Sequence, residues 1–489
     1  MSGFFARFVL KYIARPQRRK EGLKIIMKVN NDELFERAPV WRAIISLVIP
    51  TIISQIITVI YNMADTFFIG QLGDPNQVAA ATLAMPPFVM LTGFANLFGI
   101  GGASLISRSL GVGDKERAKR CASFAIYTAA ASALLYGLLF FALAPVILPL
   151  LGTDELTYGF CYEYLLWCVT VGAVPTVLNA CLAHLVRSEG HAGQASIGMA
   201  LGGVLNILLD PLFIFAFGLG IAGAAIATMV SNVAAVVYFA VLIYKNRKDT
   251  VIVPTIKNYR PRGIALEVIT VGFPSFVLLF MGTASNIVLN KLVSGYSNEC
   301  IAGMGIAKKI DTLAFAIANG MSQGVLPLIG YNFAAKNYDR MKKAIKTSFV
   351  YNIAVATVGA ILLFTLAVPV LRFFIDDAAT VEYGQHFLRT ICVTCPAISV
   401  TMMIIAIFQA TGRRTRPMIL SFIRKGGLDI PLVFFINAKF GSYGIPFTTP
   451  ICDLVAVAVA VILFIPYVKR INLSAKDSPN AIDVKEKNG

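Results

Sequence analysis

The chain has 489 residues, of which 57% are hydrophobic and 14% are charged, and its mean hydropathy is +0.72. Apolar stretches of about 18 residues or more recur along almost the whole chain, which excludes an ordinary soluble domain because such stretches cross a bilayer as helices. Segments of about ten residues with alternating polarity, typical of membrane β-barrels, do not occur. We therefore predict an all-α polytopic membrane protein embedded in the lipid bilayer.

The formal net charge of +17 would fit a nucleic-acid partner, but the distribution of Lys and Arg argues against one. The cations concentrate in alternate loops, at residues 108–120, Arg187, 245–262, 336–346 and 413–416. The intervening loops 71–77, 148–157 and 218–220 contain no Lys or Arg. This positive-inside pattern predicts a multi-pass protein of the cell membrane with both termini in the cytoplasm, and we expect no nucleic-acid partner.

Hydrophobic periodicity predicts twelve transmembrane helices. They are expected at about 43–69, 78–107, 118–147, 158–184, 192–217, 221–244, 264–292, 301–331, 345–371, 380–410, 416–438 and 443–468.

The sequence also repeats itself. Leu47-Val48-Ile49-Pro50 corresponds to Val271-Gly272-Phe273-Pro274 at an offset of 224, and residues 116–120 correspond to 339–343 at an offset of 223. Residues 223–232 match 444–453, which places Thr449 at the position of Thr228 and Asp453 at that of Asn232. Six spans per half is an even number, so the halves are parallel six-helix repeats, with a substrate expected between them.

These features divide the chain into a basic N-terminal cytoplasmic segment (1–41), two six-helix lobes (42–244 and 264–468), a cytoplasmic inter-lobe loop (245–263) and a polar cytoplasmic tail (469–489). Two interpretations of the first segment remain open. It is either an amphipathic helix on the inner leaflet, or residues 1–26 are an upstream extension and the working chain begins near Met27. The second is favoured, and the tail is expected to be disordered.

Polar residues inside the predicted spans are the strongest functional signal. Asn206 and Asp210 lie one helical turn apart, and Tyr61 and Asp65 are spaced in the same way on another apolar helix. A charged side chain at the bilayer centre costs about 2.5–3.5 kcal/mol or more, so it marks a functional site by default. The alternative is that each Asp only bonds a neighbouring helix, which Asn or Ser would do at lower cost. We predict a site for protons or a hard cation.

The C-terminal half contains further charges within its spans: Lys308 with Asp311, Lys425 with Asp429, and Asp453. For the two Lys–Asp sets, a substrate-cavity role and ion pairs that neutralise each other beside a wet cavity remain equally open. Asp453 stands out because the other half has the neutral Asn232 in its place. We keep Lys308, Asp311, Asp429 and Asp453 as candidate substrate-cavity residues.

No constellation predicts catalysis. The eight Cys are scattered in apolar helices and are expected to be packing residues, including Cys392 and Cys395 with their C-x-x-C spacing. The three His have no metal-ligand spacing, and Gly99, Gly101 and Gly102 are expected to allow close helix packing. We therefore predict that the protein is not an enzyme and has no cofactor apart from a coupling ion.

Four stretches together carry a family resemblance: Tyr61-Asn62-Met63-Ala64-Asp65-Thr66-Phe67-Phe68-Ile69-Gly70, Gly101-Gly102-Ala103-Ser104, Arg187-Ser188-Glu189-Gly190 and Asn206-Ile207-Leu208-Leu209-Asp210-Pro211. Over residues 40–470 the chain resembles the multidrug and toxic compound extrusion (MATE) family, and it is most similar to the DinF-like branch. The resemblance implies a V-shaped arrangement of two six-helix lobes.

The resemblance also implies a cation-coupling site in the N-terminal half, formed by Tyr61, Asp65, Asn206, Asp210 and Thr228. If the ion is Na⁺, its ligands would be Asp65, Asn206, Asp210 and Thr228. Another branch of the family has a Glu on the seventh helix shortly after a proline. Residues 275–281 contain no acid, so an ion site of that type is not expected.

The expected function is that of a monomeric secondary antiporter. It would export organic cations and amphipathic drugs in exchange for H⁺ or Na⁺ by rocker-switch alternating access. One alternative is a flippase for lipid-linked precursors of the wider superfamily, which would favour a cationic central cavity. A membrane enzyme is the third hypothesis, and it lacks the catalytic residues it would need.

Overall fold

The computed structural model describes residues 33–293, 295–375 and 377–476, so most of the basic N-terminal segment and the end of the tail lie outside the described residues. Within them the chain is helical and has no strand. We number the spanning helices α1 to α12. They are α1 Val40–Gly70, α2 Pro75–Gly111, α3 Lys115–Leu150, α4 Tyr158–Val171 with Ala173–Ser188, α5 Ala192–Ala216, α6 Gly220–Lys245, α7 Ala265–Val293, α8 Glu299–Ala334, α9 Tyr338–Thr365, α10 Ala378–Cys392 with Cys395–Ala410, α11 Thr415–Phe422 with Ile423–Gly427 and Asp429–Gly444, and α12 Thr448–Lys476.

The division between α11 and α12 completes the predicted count of twelve spans. Thr415–Leu473 is an apolar stretch of 59 residues. At about 1.5 Å per residue it would measure about 88 Å as one helix, nearly three times the hydrocarbon thickness of about 30 Å. Gly441, with φ of 62°, breaks the stretch because glycine adopts a left-handed conformation without steric cost. The all-α fold with twelve membrane helices is therefore confirmed.

Two of the spans are bent. In α4 the two segments meet at 52° beside Gly172, whose backbone N–H donates to the Trp167 carbonyl at 2.8 Å in a π-helical turn. A Cβ at Gly172 would lie 2.6 Å from that carbonyl oxygen, so only glycine fits there. In α10 the segments meet at 44°, where Pro396 lacks the N–H that would continue the helix.

The most extensive helix crossings between the six-helix lobes are those of α2 with α7 and of α1 with α8, and α2 also packs against α8. At the first crossing, an added Cβ at Gly101 would collide with the Val268 carbonyl. At the second, a Cβ at Gly320 would lie 2.9 Å from the Ile52 Cα. The prediction that Gly101 is a close-packing position is confirmed, since small residues let helix backbones approach in a membrane protein.

We call the end of the bundle that carries loops 108–120, 245–262, 336–346 and 413–416 the basic end. Here the lobes are also joined by polar contacts. The Ser104 hydroxyl donates to the Gln409 carbonyl at 2.5 Å, and Glu267 on α7 pairs with both Arg108 (3.5 Å) and Arg117 (2.5 Å) of the other lobe. The Tyr331 hydroxyl on α8 donates to Glu36, which precedes α1, at 2.7 Å. The lobes are thus closed against each other at the basic end.

The exposure of α8 changes along its length. From Gly320 to Asn332 every residue is buried, whereas the half that points away from the basic end exposes one residue per turn. These exposed residues are Ile301, Gly305, Lys309, Thr312 and Leu313. Because α8 contacts α1 at Gly320 and Gly324, in its buried half, the lobes diverge beyond that contact and leave a space between them. We call this space the cleft, and it opens at the end opposite the basic end.

Candidate functional site

Asn206 and Asp210 lie on the inner face of α5 and are 1% and 0% exposed. One turn earlier, a Cβ at Gly203 would lie 2.7 Å from the Ile57 Cγ2 and 3.0 Å from the Tyr61 Cδ1. Glycine at this position therefore lets α1 approach α5 closely and brings the Tyr61 ring beside the polar pair. After Pro211, α5 continues as a π-helical turn over Leu212–Ala216.

The Asn206 amide connects α5 with α6. Its Nδ2 donates to the Asp210 Oδ1 at 3.2 Å and to the Thr228 Oγ1 at 3.1 Å. Both amide hydrogens are thus used, and the Asn206 Oδ1 is left buried with no hydrogen-bond partner among the described residues. The structure therefore brings together Asn206, Asp210 and Thr228 of the predicted set.

Asp65 on α1 completes the site and is 5% exposed. Its carboxylate lies close enough to that of Asp210 for the two to interact electrostatically. The Tyr164 hydroxyl on α4 donates to the Asp65 Oδ2 at 3.1 Å. Tyr164 could not be identified from the sequence, because nothing in an isolated apolar helix marks one Tyr as the partner of an Asp 99 residues away.

Three oxygens of this site are buried without a donor within the described part of the chain: the Asp65 Oδ1, the Asn206 Oδ1 and the Asp210 Oδ2. Buried carboxylate oxygens are expensive to leave unpaired, so their grouping points to a missing positive charge. A proton on either carboxylate would supply it. The oxygen-only donor set, with the Thr228 hydroxyl, also suits a hard cation such as Na⁺. No group of three or more His, Cys, Asp or Glu that could hold a metal ion occurs among the described residues.

A second layer of neutral polar side chains lies beside the site. The Asn232 Nδ2 donates to the Thr228 carbonyl at 3.0 Å and to the Thr176 Oγ1 at 3.2 Å, and the Asn179 Nδ2 donates to the Asn232 Oδ1 at 2.8 Å. These contacts tie α4 to α6 and hold the helix that carries Thr228. Neither Thr176 nor Asn179 was identified from the sequence.

The charges of the C-terminal lobe are arranged differently, because each acid has a cationic neighbour. The Arg424 Nε lies 3.0 Å from the Asp453 Oδ1, and both side chains are nearly inaccessible. The Lys425 Nζ lies 3.7 Å from the Asp429 Oδ2, and the Lys308 Nζ lies 4.0 Å from the Asp311 Oδ2. The structure thus places all four candidate cavity residues in ion pairs. Arg424, the partner of Asp453, was not identified from the sequence.

Burial distinguishes these residues further. Asp453 and Asp429 are 1% and 4% exposed, so neither carboxylate lines the open cleft in this conformation. The Thr394 hydroxyl also donates to Asp453, at 3.3 Å, and the Ser285 hydroxyl donates to Asp429. The side chains of Lys308 and Asp311 are 21% and 18% exposed, so only this pair of the four candidates reaches open space.

Among the described residues of the two repeats, Asp65 and Asp210 of the acidic site have no counterpart acid in the second repeat. With the offset of 224, Asp65 corresponds to Leu289, and offsets of 221 to 224 place Asp210 among residues 431–434, which are Pro-Leu-Val-Phe. Of the site residues carried over in this way, only Thr228 keeps its type, as Thr449. Within the part of the chain that the structure describes, the duplicated fold therefore has this unpaired acidic site in the N-terminal lobe and not at the equivalent positions of the C-terminal lobe.

A bundle of twelve membrane helices in two duplicated lobes, with a cleft between them and buried polar sites in each, defines a membrane transporter rather than an enzyme. The MatE family model matches residues 50–212 and 274–435, once in each half, which confirms the internal duplication. The chain belongs to the MATE family.

Relatives and solved structures agree with this assignment. The chain is 33% identical over 430 residues to "Multidrug export protein MepA" of Staphylococcus saprophyticus, covering 88% of this chain and 94% of that protein. It is 32% identical over 433 residues to the protein of the same name from Staphylococcus aureus, covering 88% and 95%. A crystal structure of MATE in complex with MaL6 superposes with a TM-score of 0.84 at 25% identity, covering 92% of this chain and all of that one. An outward-facing MATE transporter of the MOP superfamily superposes with a TM-score of 0.82 at 26% identity, covering 92% and 99%.

Proposed function

We propose that this protein is a secondary antiporter that exports organic cations and other amphipathic compounds in exchange for H⁺ or Na⁺. The three unpaired oxygens of Asp65, Asn206 and Asp210 carry the proposal, because a buried acidic site without a fixed cation can exchange one positive species for another. The names of the relatives as multidrug export proteins support the substrate class.

The mechanism follows from the charge of the site. Two carboxylates held close in a low dielectric cannot both stay ionised without a positive partner. A proton on Asp65 or Asp210 reduces the negative charge, and so does Na⁺ held by both carboxylates, Asn206 and Thr228. Either ion weakens the field that would hold a cationic substrate. Ion and substrate therefore exclude each other, and this exclusion couples their opposite movements.

Movement would occur by rocking of the two lobes. In the proposed cycle the basic end faces the cytoplasm of the cell and both termini lie there. The closed contacts at the basic end, among them Ser104 with Gln409 and Glu267 with Arg117, would open when the cleft closes. We further propose that residues 42–244 and 264–468 move as two lobes joined by loop 245–263, and that one chain suffices for transport.

The test uses purified full-length protein in lipid vesicles and the ethyl ester of rhodamine B, a fluorescent organic cation. A pH gradient and a Na⁺ gradient are imposed separately. The wild type should move the dye with at least one of them. Asp65→Asn and Asp210→Asn should insert normally, because removing a buried charge lowers the insertion cost, yet they should fall to the rate of protein-free vesicles with either gradient.

Asp74→Asn is the matched control in the same lobe. Asp74 accepts from the Asn76 backbone N–H at the start of Pro75–Leu83, and Asn caps a helix equally well. This variant should transport like the wild type. Gradient-driven transport at wild-type rates by both Asp65→Asn and Asp210→Asn would overturn the proposal.

A further inference from the structure

The outer surface of the C-terminal lobe contains a groove of about 560 Å³. The first segment of α10, the last turn of α9 and the first turns of α12 line it, so it lies at the end opposite the basic end. Every exposed residue is apolar from Val350 to Phe364 on α9 and from Ile451 to Pro466 on α12. Apolar faces of this extent contact lipid in a membrane protein, so the groove opens to the bilayer.

The α10 wall of this groove carries a row of polar side chains. Spacings of three and four residues place the row on one face of the helix, and its members are Glu382, Gln385, His386 and Arg389. Within the described part of the chain, neither Glu382 nor Arg389 belongs to an ion pair. An unpaired charge beside hydrocarbon is costly. The row therefore fits a ligand that brings one negative and one positive group to the groove.

Arg389 is held at the level of the lipid headgroups. Its Nε donates to the Phe364 carbonyl at 3.2 Å, and its Cζ lies 5.3 Å from the centroid of the Phe364 ring. Phe364 is in the last turn of α9, which ends at Thr365, 19 residues beyond Lys346, the last cation of that helix. At about 1.5 Å per residue this length is about 28 Å, close to the hydrocarbon thickness of about 30 Å. Among the described residues the other four N–H donors of the guanidinium have no partner, and Arg binds a phosphate through two parallel hydrogen bonds.

His386 and Glu382 supply hydrogen-bond acceptors on the water side of Arg389. The His386 Nε2 lies 3.1 Å from the Tyr443 carbonyl oxygen, which can only accept, so Nε2 carries the hydrogen and Nδ1 is the acceptor of the uncharged ring. The Tyr443 and Phe447 rings pack against the imidazole at centroid distances of 5.2 and 5.9 Å. Glu382 precedes Arg389 by seven residues, about 10 Å along α10, and α10 begins on the water side. An ammonium bound here would therefore lie farther from the bilayer centre than a phosphate at Arg389.

We infer that this groove binds a zwitterionic phospholipid whose headgroup carries a phosphate and a primary ammonium. Arg389 binds the phosphate, and the ammonium donates to the Glu382 carboxylate and the His386 Nδ1. The order of the charges fits, because the phosphate of such a lipid lies nearer its acyl chains than the ammonium does. The acyl chains contact Val393 and Leu454, which are exposed and border the groove. The site lies outside the cleft, so the inference does not depend on the coupling ion or on the exported substrate.

The experiment measures lipid binding to the purified full-length protein in detergent by native mass spectrometry. The probes are dioleoylphosphatidylethanolamine, dioleoylphosphatidylglycerol, which keeps the phosphate but lacks the ammonium, and dioleoylglycerol, which lacks both. The wild type should bind them with affinities that fall in that order. Arg389→Gln should weaken the binding of both phospholipids about tenfold, in line with the loss of a hydrogen bond to a charged group. Glu382→Gln should weaken only the binding of phosphatidylethanolamine, to the affinity of phosphatidylglycerol.

Arg372→Gln and Glu155→Gln are the matched controls, since both residues are exposed at the same end and neither borders the groove. Both variants should bind all three lipids like the wild type. Arg389→Lys keeps the charge without the Nε contact to Phe364, and it should bind both phospholipids more tightly than Arg389→Gln does.

Wild-type affinity for phosphatidylethanolamine in both Arg389→Gln and Glu382→Gln would overturn the inference. Equal binding of phosphatidylethanolamine and phosphatidylglycerol by the wild type would overturn it as well, because Glu382 would then recognise no ammonium. Glycerophosphoethanolamine, which has no acyl chains, should not displace phosphatidylethanolamine at equal concentration. If it does, the groove binds a soluble phosphodiester and the assignment to a lipid is wrong.

Discussion

At the scale of single residues, the two lobes treat their buried charges in opposite ways. Asp453 has Arg424 at 3.0 Å and Asp429 has Lys425 at 3.7 Å. Asp65 and Asp210 in the N-terminal lobe have only neutral donors. An acid with a fixed cationic partner does not require a mobile ion to neutralise its charge. The same residue type therefore has different consequences in the two lobes, and neutralising substitutions should separate them.

Asp453→Asn should destabilise the protein, because it leaves the Arg424 guanidinium buried without its carboxylate. Removal of one partner of a buried ion pair typically costs about 3–5 kcal/mol. We expect a lower thermal unfolding midpoint in detergent, while Asp65→Asn, which leaves no cation unpaired, should unfold near the wild-type temperature.

The double variant Asp453→Leu with Arg424→Met serves as the control, because a buried ion pair can often be replaced by apolar side chains of similar volume. It should recover most of the lost stability. If Asp453→Asn unfolds at the wild-type temperature, the Arg424–Asp453 pair has no structural role.

Thr228 provides a test that separates the two coupling ions. Thr228→Val keeps the shape of the side chain but removes the hydroxyl that accepts from Asn206 and would serve as a Na⁺ ligand. We expect the Na⁺ concentration for half-maximal transport to rise about tenfold or more, in line with the loss of one site group, whereas proton-driven transport should change little. Thr228→Ser, which keeps the hydroxyl, should behave like the wild type with both ions. If Thr228→Val loses Na⁺-driven and proton-driven transport to the same extent, the hydroxyl acts through helix packing.

At the scale of helices, local irregularity positions the site. The π-helical turn Leu166–Val171 and the 52° bend of α4 follow directly after Tyr164, whose hydroxyl reaches Asp65 on α1. Hydrophobic periodicity located α4 but gave no information about its bend, because a bend depends on carbonyl contacts such as that beside Gly172 rather than on apolar spacing. The Tyr164–Asp65 contact could therefore not be predicted from the sequence.

The loop between the lobes is docked on the N-terminal lobe by Glu189, which follows α4 and is 3% exposed. The Thr250 hydroxyl donates to its Oε2 at 2.7 Å and the Val251 N–H donates to its Oε1 at 2.6 Å. Burial raises the pKa of Glu189 from its ordinary value near 4.5 to about 7, although these two neutral donors act in the opposite direction.

This shift predicts that the loop docks less firmly as the pH rises. Between its ordinary pKa and about 7, Glu189 keeps its proton when the loop is docked and loses it when the loop is open, so raising the pH through this window favours opening. Trypsin should therefore cleave at the exposed Lys257 faster at about pH 8 than at about pH 6, relative to Glu189→Gln at the same pH. An equal pH dependence in both proteins would rule out Glu189 as the titrating group.

At the scale of the whole molecule, the sequence predicted the number of helices, the duplication and the N-terminal location of the acidic pair. These features depend on composition and on spacing along one helix. Contacts between distant segments could not be predicted, such as Ser104 with Gln409, which are 305 residues apart, or Arg424 with Asp453 on a different helix.

The contacts that close the basic end must break in every transport cycle, and Glu267 is their electrostatic centre. It joins Arg108 and Arg117 of one lobe to α7 of the other, and its side chain is 24% exposed. Partly exposed pairs are worth about 0–1 kcal/mol each. Such modest energies suit a contact that opens repeatedly, since a shift of about 1.4 kcal/mol changes a two-state population tenfold.

Glu267→Gln should therefore shift the molecule towards the state that is open at the basic end. Spin labels at Val112 and Thr415 report on that end, and labels at Leu150 and Phe373, which are 81% and 84% exposed, report on the opposite end. Compared with the wild type, we expect a several-fold larger fraction of Glu267→Gln molecules to have a longer Val112–Thr415 distance and a shorter Leu150–Phe373 distance.

Glu116→Gln is the matched control for this shift, because it removes an acid from the same basic end that pairs only within its own helix, with Lys119 at 2.7 Å. Its label distances should equal those of the wild type. Glu267→Asp keeps the charge and should give an intermediate distribution, since the shorter side chain cannot reach both Arg108 and Arg117 equally well. If Glu267→Gln leaves both distance distributions unchanged, helix packing at Gly101 and Gly320 holds the basic end closed, and the ion pairs only accompany that closure.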